Sequence, residues 1–149
     1  METVRTTIQV RDAEAGDADT LARLCGQLGY ASSPDAVLQR LERLVRSGAR
    51  ALVATSGRGG DVIGLATVHL RSMINHEAPL AQLTLLVVDE ERRSQGVGRA
   101  LVDDAEAWAR AQGCRRIIVT TALHRTGAHA FYERIGYAHT GRRYGKDFA

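Results

Sequence analysis

Two glycines two residues apart, Gly96 and Gly98, stand between an apolar run (Leu83, Leu85, Leu86, Val87, Val88) and an amphipathic stretch that extends to Trp108. The run reads as a buried strand, followed by a charged turn from Asp89 to Arg93 and then by Ser94, Gln95, Gly96, Val97 and Gly98. The first N–H groups of a helix have no partner within it, and the helix dipole is positive there. A strand that feeds a helix through exposed amides is therefore a seat for an anion, a phosphate first of all. The donors are the backbone amides of Ser94 to Arg99, and glycine permits a close approach that a side chain at 96 or 98 would block.

Three phosphate-binding patterns compete for these residues. A P-loop needs a lysine and a hydroxyl residue after its last glycine, and here Arg99 and Ala100 follow. A dinucleotide fingerprint needs its glycines directly after the strand and a small third residue. Here Asp89 to Gln95 intervene and Leu101 takes the third place. The third pattern depends on what surrounds the glycines.

The elements that must position this segment can be read in order. Thr7 to Arg11 alternates as a short strand, and Asp17 is placed to cap a helix bearing Leu21, Leu24, Cys25 and Leu28, which Gly29 ends. Ser33 and Pro34 open a second helix with the stripe Val37, Leu38, Leu41, Leu44 and Val45, closed at Gly48. Ala49 to Thr55 and Val62 to Arg71 read as an antiparallel hairpin around a Gly-rich turn. The aperiodic loop Ser72 to Pro79, with Asn75, His76 and Glu77, leads into the central strand. Val97, Leu101, Ala105 and Trp108 mark a helix that Gly113 ends before a strand from Arg116 to Thr121, making a crossover unit. Thr126 is placed to cap a helix with Ala128, Phe131, Tyr132 and Ile135 inward, closed by Gly136. Tyr137 to Phe148 reads as one or two terminal strands turning near Gly141. The order is βααβββαβαβ(β), an α/β fold with a mixed, mostly antiparallel central sheet flanked by helices.

Composition narrows the function. The chain of 149 residues has the size of one domain, spanning 1–149, and its 20 basic and 17 acidic residues leave a net charge of +3, too little to argue for nucleic acid. No apolar run has the length of a membrane span, and no signal-peptide core follows the charged N-terminus, so the expectation is a cytoplasmic protein off the membrane. Cys25 and Cys114 sit within expected elements without metal or redox spacing, as buried free thiols, and no metal site is expected.

The run Arg93-Ser94-Gln95-Gly96-Val97-Gly98 resembles the acyl-CoA signature of the GNAT acetyltransferase superfamily: Arg or Gln, two variable residues, Gly, any residue, then Gly or Ala. Further on, Ala128-His129-Ala130-Phe131-Tyr132 followed by Gly136-Tyr137 is similar to the family's second signature. The order of elements matches too, and the resemblance covers essentially the whole chain. Two departures stand out: Ser94 where glycine is frequent, and Arg125 where an asparagine usually touches the cofactor. Within the superfamily the chain looks closest to aminoalkylphosphonate N-acetyltransferases.

The resemblance implies transfer of the acetyl group of acetyl-CoA to a primary amine, of a small molecule above all, by direct attack in a ternary complex. The other readings are acetylation of a protein or peptide amine and a non-catalytic acyl-CoA-binding regulatory module. Cofactor contacts fall on Leu86, Val87 and Val88, where the family's central strand bulges and splays, and on Arg93, Ser94, Gln95, Gly96, Val97, Gly98, Arg99 and Arg125. Tyr132 is the implied general acid. Its phenol pKa of about 10 stands near a thiol's 8.5 or so, which makes protonation of the leaving thiolate modestly uphill. For the base, the central strand offers Gln82 and Thr84, which take no proton at neutral pH. Glu77 and His76 come next, then His69 and His129, with a water relay through Gln82 or Thr84 as the alternative. Arg71, Arg142 and Arg143 are placed for an anionic group of the substrate, and relatives of this kind are often homodimers.

Overall fold

The computed structural model describes residues 7–120 and 126–148, as two compact units, Met1–Ile118 and Val119–Ala149. Thr121 and Arg125, the first an end of an expected strand and the second an expected cofactor contact, lie outside the described residues.

Strands β1 (Ile8–Asp12), β2 (Arg50–Ser56), β3 (Val62–Arg71), β4 (Leu80–Val88) and β5 (Ile117–Val119) form a mixed five-stranded sheet in that spatial order. The first four pair antiparallel, as the hairpin expectation required. Helices α1 (Ala18–Gln27) and α2 (Pro34–Arg46) connect β1 to β2, and α3 (Val97–Ala111) carries the chain from β4 across to β5. The two faces of the sheet are assigned by alternation along β3. Leu65 packs with Leu21, Leu24 and Val37 of α1 and α2, while neighbouring Gly64 faces Val97 and Leu101 of α3.

Local chemistry sets most boundaries. The Ser33 hydroxyl accepts from the Ala36 N–H at 3.1 Å, which caps α2 as expected. Asp17 precedes α1 but does not cap it with its side chain. Its carboxylate instead receives both Arg11 guanidinium nitrogens at 2.9 Å and the Glu14 N–H at 2.8 Å. A charge-assisted fork to arginine outweighs a single cap bond. Val45, placed on the inner stripe of α2, is 56% exposed, one position past the arc that Val37, Leu41 and Leu44 turn to the sheet. Cys114 lies in the turn after α3 rather than inside an element, and both free cysteines are half-buried.

In the second unit, α4 (Thr126–Arg134) presents buried Tyr132. Residues 137–148, expected as terminal strands, form none. The segment is polar and glycine-bearing, with Tyr144 and Phe148 about nine-tenths exposed, so it offers no apolar face for a strand to bury.

Candidate active site

The centre of the first unit is the joint between β4 and α3. Opposite Val68 stands Leu83, but opposite Thr67 stands Leu85, so Thr84 is an extra residue and β4 bulges there. The Thr84 hydroxyl lies 2.6 Å from that of Thr67. Beyond the bulge, Leu86, Val87 and Val88 pair with Ala66, Leu65 and Gly64 on one side only. On the other side β5 has three residues and begins where the Ala81 N–H bonds to the Arg116 carbonyl. At one residue per step it runs out near the bulge, so among the described residues the edge of β4 from Leu85 to Val88 has no ladder partner on that side. Alternate N–H groups along that edge turn away from β3.

At the end of β4 the chain is anchored from α1. Asp89, 8% exposed, accepts from Arg23 at 3.1 Å, from the Gln27 amide at 3.4 Å and from the Glu91 N–H at 3.3 Å. The Gln27 carbonyl oxygen accepts from the Glu90 N–H at 3.0 Å, and the Asp89 N–H donates to the Ile63 carbonyl at 2.9 Å. Burial alone would raise the Asp89 pKa, but the Glu91 N–H, Arg23 and Gln27 together outweigh it and hold the carboxyl below its ordinary value. These residues fix the start of the anion-binding turn. None of Arg23, Gln27 or Asp89 stood out as functional in the sequence, because their partnership spans more than 60 residues.

The turn itself has the form the glycine pattern suggested. Ser94 has φ 63° and Gly96 φ 85°, both left-handed, so the amides of this exposed turn point to a common side. Gly96 stands at the N-terminus of α3, no side chain caps the helix, and its first turn holds no acidic residue. The first hydrogen bond within α3 joins the Ala100 N–H to the Gly96 carbonyl at 3.0 Å, leaving the amides before it for an outside acceptor. Arg99 reaches Asp103 at 3.1 Å and Arg93 is exposed beside the turn. An anionic pyrophosphate fits such a donor set, with no carboxylate in the first helical turn to oppose it.

Gly64 is a further residue that sequence reasoning missed. A Cβ there would lie 2.9 Å from Val97 Cγ1, 3.0 Å from Leu101 Cδ1 and 3.3 Å from the Val87 carbonyl oxygen. Its missing side chain lets the first turn of α3 sit directly on β3 and β4. The signal was a lone glycine inside a strand pattern, which marks close approach.

In the second unit the Tyr132 ring is 8% exposed, 5.2 Å from the Phe131 ring and 5.7 Å from that of Tyr137. Burial pushes its pKa up to about 12. The gap to a thiol then widens to about 3.5 units, roughly 5 kcal/mol, so direct protonation of a free thiolate is steeper than the sequence reading supposed.

Three of the expected base residues, His69, His76 and Glu77, belong to the first unit. His76 and Glu77 are in the exposed β3–β4 loop, where Glu77 pairs with Arg115 at 3.3 Å. His69 is half-buried on β3 in register with Gln82 on β4, and the buried Gln82 Oε1 receives no hydrogen bond among the described residues. Arg71, Arg142 and Arg143 are exposed. A groove of about 380 Å³ against α2, lined by Leu38, Leu41 and Val45 among others, shares no residue with the β4–α3 joint. No group of residues suited to a metal, and no helix long and apolar enough to cross a membrane, occurs among the described residues.

Comparison with known proteins agrees with this geometry. The chain is 29% identical to an aminoglycoside N(6')-acetyltransferase type 1 of Stenotrophomonas maltophilia over 136 residues, 89% of this chain and 88% of that one. It is 33% identical to the aminoalkylphosphonate N-acetyltransferase of Salmonella typhimurium over 89 residues, 60% of this chain and 58% of the other. A crystal structure of the aminoglycoside N-acetyltransferase AAC(6')-Iy in complex with CoA superposes with a TM-score of 0.82 at 21% identity, covering 95% of both chains. A transcriptional regulator from Bacillus halodurans superposes at 0.86 with 21% identity, over 95% of this chain and all of that one. These two likenesses speak for the fold. The model of the Acetyltransferase (GNAT) family matches residues 19–137, across both compact units, and the chain belongs to that family of acetyl-CoA-dependent acetyltransferases.

Proposed function

We propose that this protein transfers the acetyl group of acetyl-CoA to a primary amine of a small molecule, by direct attack within a ternary complex. The observation that carries the reading is the β4–α3 joint. A bulged strand, whose edge beyond the bulge pairs with β3 alone among the described residues, runs into a turn with left-handed Ser94 and Gly96 and an uncapped helix start. Amides of Ser94 to Arg99 hold the pyrophosphate, with Arg93 and Arg99 adding charge, and Arg125 adds a further contact. The edge of Leu86, Val87 and Val88 lines the acyl arm, where a backbone N–H faces the thioester oxygen and stabilises the charge that develops on it. Tyr132 delivers a proton to the departing sulfur. Both units act as one acetyltransferase domain, a view supported by a family match that runs across their boundary.

Small amines are favoured as acceptors because both relatives described above are named for them, an aminoglycoside in one case and an aminoalkylphosphonate in the other. Exposed Arg71, Arg142 and Arg143 suit an acceptor that also carries an anionic group. Two cysteines with raised pKa, Cys25 and Cys114, each by burial foremost, accord with a reducing, cytoplasmic setting.

The test is a panel of amines, comprising aminoalkylphosphonates, polyamines, aminoglycosides and lysine-bearing peptides, followed by release of free CoA thiol. Acetylation of at least one small amine is expected. Turnover with peptides alone would move the activity to protein amines, and no turnover with the whole panel while acetyl-CoA binds would make the chain a binding module.

A further inference from the structure

Alternation and the bulge gather four polar side chains on one face of the sheet. Thr67 and His69 follow Leu65 on the face that α1 and α2 cover, and Gln82 and Thr84 meet them from β4. Leu65 is buried, whereas Thr67 and His69 are half-buried, so the helical cover ends along this row. The row ends at the bulge, where the unpaired edge of β4 begins. Directly opposite residues of an antiparallel pair stand about 5 Å apart, which puts the His69 imidazole beside the Gln82 amide.

Two features of this row ask for a ligand. Gln82 Oε1 is buried and accepts no hydrogen bond among the described residues, and half-buried His69 stands opposite it in register, where the helical cover ends. A buried acceptor without a donor is rare in folded proteins, and an amine N–H is such a donor. We infer that His69 is the base that takes the proton from the acceptor's ammonium, while Gln82 Oε1 holds the nitrogen by a second N–H. The inference rests on the acetyl-transfer reading and names the residues that handle its acceptor.

The step balances as follows. One ammonium N–H bond breaks and its proton joins the imidazole nitrogen. The freed lone pair forms the N–C bond to the acetyl carbon, the C–S bond breaks with its electron pair on sulfur, the Tyr132 phenol gives that sulfur its proton to make CoA thiol, and the second amine proton restores the phenol. The imidazolium then returns its proton to water. Burial foremost, and Arg71 second, lower the His69 pKa, so the ring is neutral and ready to accept at pH 7. On its own strand it faces Thr67 and Arg71, and from β4 uncharged Gln82 and Thr84.

The experiment compares wild type, His69→Gln and Gln82→Met with the best amine of the panel, and follows the wild-type His69 ring by NMR. In wild type, kcat at saturating amine should fall on the acid side with an apparent pKa below 6.5. His69→Gln should lose about 100-fold in kcat together with that acid limb, and His69→Ala should regain part of it with added imidazole. Gln82→Met should raise KM for the amine more than it lowers kcat, and all variants should bind acetyl-CoA within twofold of wild type. A His69→Gln enzyme that keeps its kcat and acid limb overturns the assignment, as does loss of that limb in Glu77→Gln or His76→Asn instead. If an amine shifts the His69 resonances while wild type releases no thiol, acetyl transfer fails and the amine seat stands. If neither happens, both fail.

Discussion

The contact between β3 and α3 makes Gly64→Ala an informative single change. The added methyl would sit at 2.9 and 3.0 Å from Val97 and Leu101, side chains 1% and 0% exposed, and at 3.3 Å from a backbone oxygen of Val87. Ordinary contact needs about half an ångström to an ångström more, and neither buried side chain has space to retreat, so α3 itself must lift. Overpacking of this kind costs about 1–3 kcal/mol, and alanine's better fit in a strand returns roughly 0.5–1 kcal/mol, for a net loss of up to about 2.5 kcal/mol. In a chain of this length that is up to about 10 °C in Tm. Because Val97 is the first residue of α3, lifting it also displaces the unpaired amides before it. Acetyl-CoA affinity should therefore fall by about tenfold or more, measured by calorimetric titration at a temperature where both proteins are folded. A Gly64→Ala protein with unchanged urea midpoint and unchanged Kd would refute the link between this glycine and the anion seat. A protein destabilised but normal in Kd would leave the packing argument and remove its functional half.

Three further outcomes follow from the same geometry. Tyr132→Phe should lower kcat about 100-fold at nearly constant acetyl-CoA affinity. With a pKa of about 12 the phenol stays protonated, so the pH profile below 10 should keep its shape, and unchanged turnover would remove Tyr132 from the reaction. Ser94→Val puts a β-branched residue at φ 63° and should cost about 2 kcal/mol and most acetyl-CoA affinity, whereas Ser94→Gly should change stability by less than about 0.5 kcal/mol; urea melts of the pair check this. The Arg11 fork is the main cause that lowers the Asp17 pKa below 3.8, so its stabilisation is present above that value and lost as pH falls through the lower folded pKa. Asp17→Asn should accordingly lose about 1 kcal/mol at pH 7 and progressively less as pH falls below 3.8, and a deficit that does not shrink with falling pH would refute the ion pair's role.

The parts of the fold that were legible in the sequence are those whose cause is local. Ser33 and Pro34 announced α2, glycines at 29, 48, 113 and 136 closed their helices with positive φ, and the glycine pair marked the uncapped start of α3. What escaped has causes that lie across the fold. Asp17 had the residue type of a cap, but Arg11, on the neighbouring strand, claims its carboxylate. Asp89 read as part of a charged turn because Arg23 and Gln27 are brought to it only when α1 packs beside β4. The terminal segment reads as one or two strands from its place after α4, yet its large apolar side chains, Tyr144 and Phe148, stay exposed.

The bulge in β4 shows why the site in particular was hidden. Leu85, Leu86, Val87 and Val88 are apolar in an unbroken run, so they fit either face and carry no period from which a register can be read. Sliding β4 by one residue would cost little along that run. Upstream it would matter, because Gln82 would trade places with Ala81 or Leu83, which are 0% and 1% exposed, and a polar amide would enter the face packed on α3. Absorbing the extra residue at Thr84, whose hydroxyl meets Thr67, keeps Gln82 and His69 on one face and Leu85 and Val87 on that same face beyond it. The bulge thus reconciles two registers that a straight strand could not hold together, and in doing so it aligns the polar row with the open edge of β4. Removing the Thr84 hydroxyl contact by Thr84→Val should therefore disturb KM for the amine more than affinity for acetyl-CoA, since the amides proposed to hold the anion belong to α3 and to the turn before it.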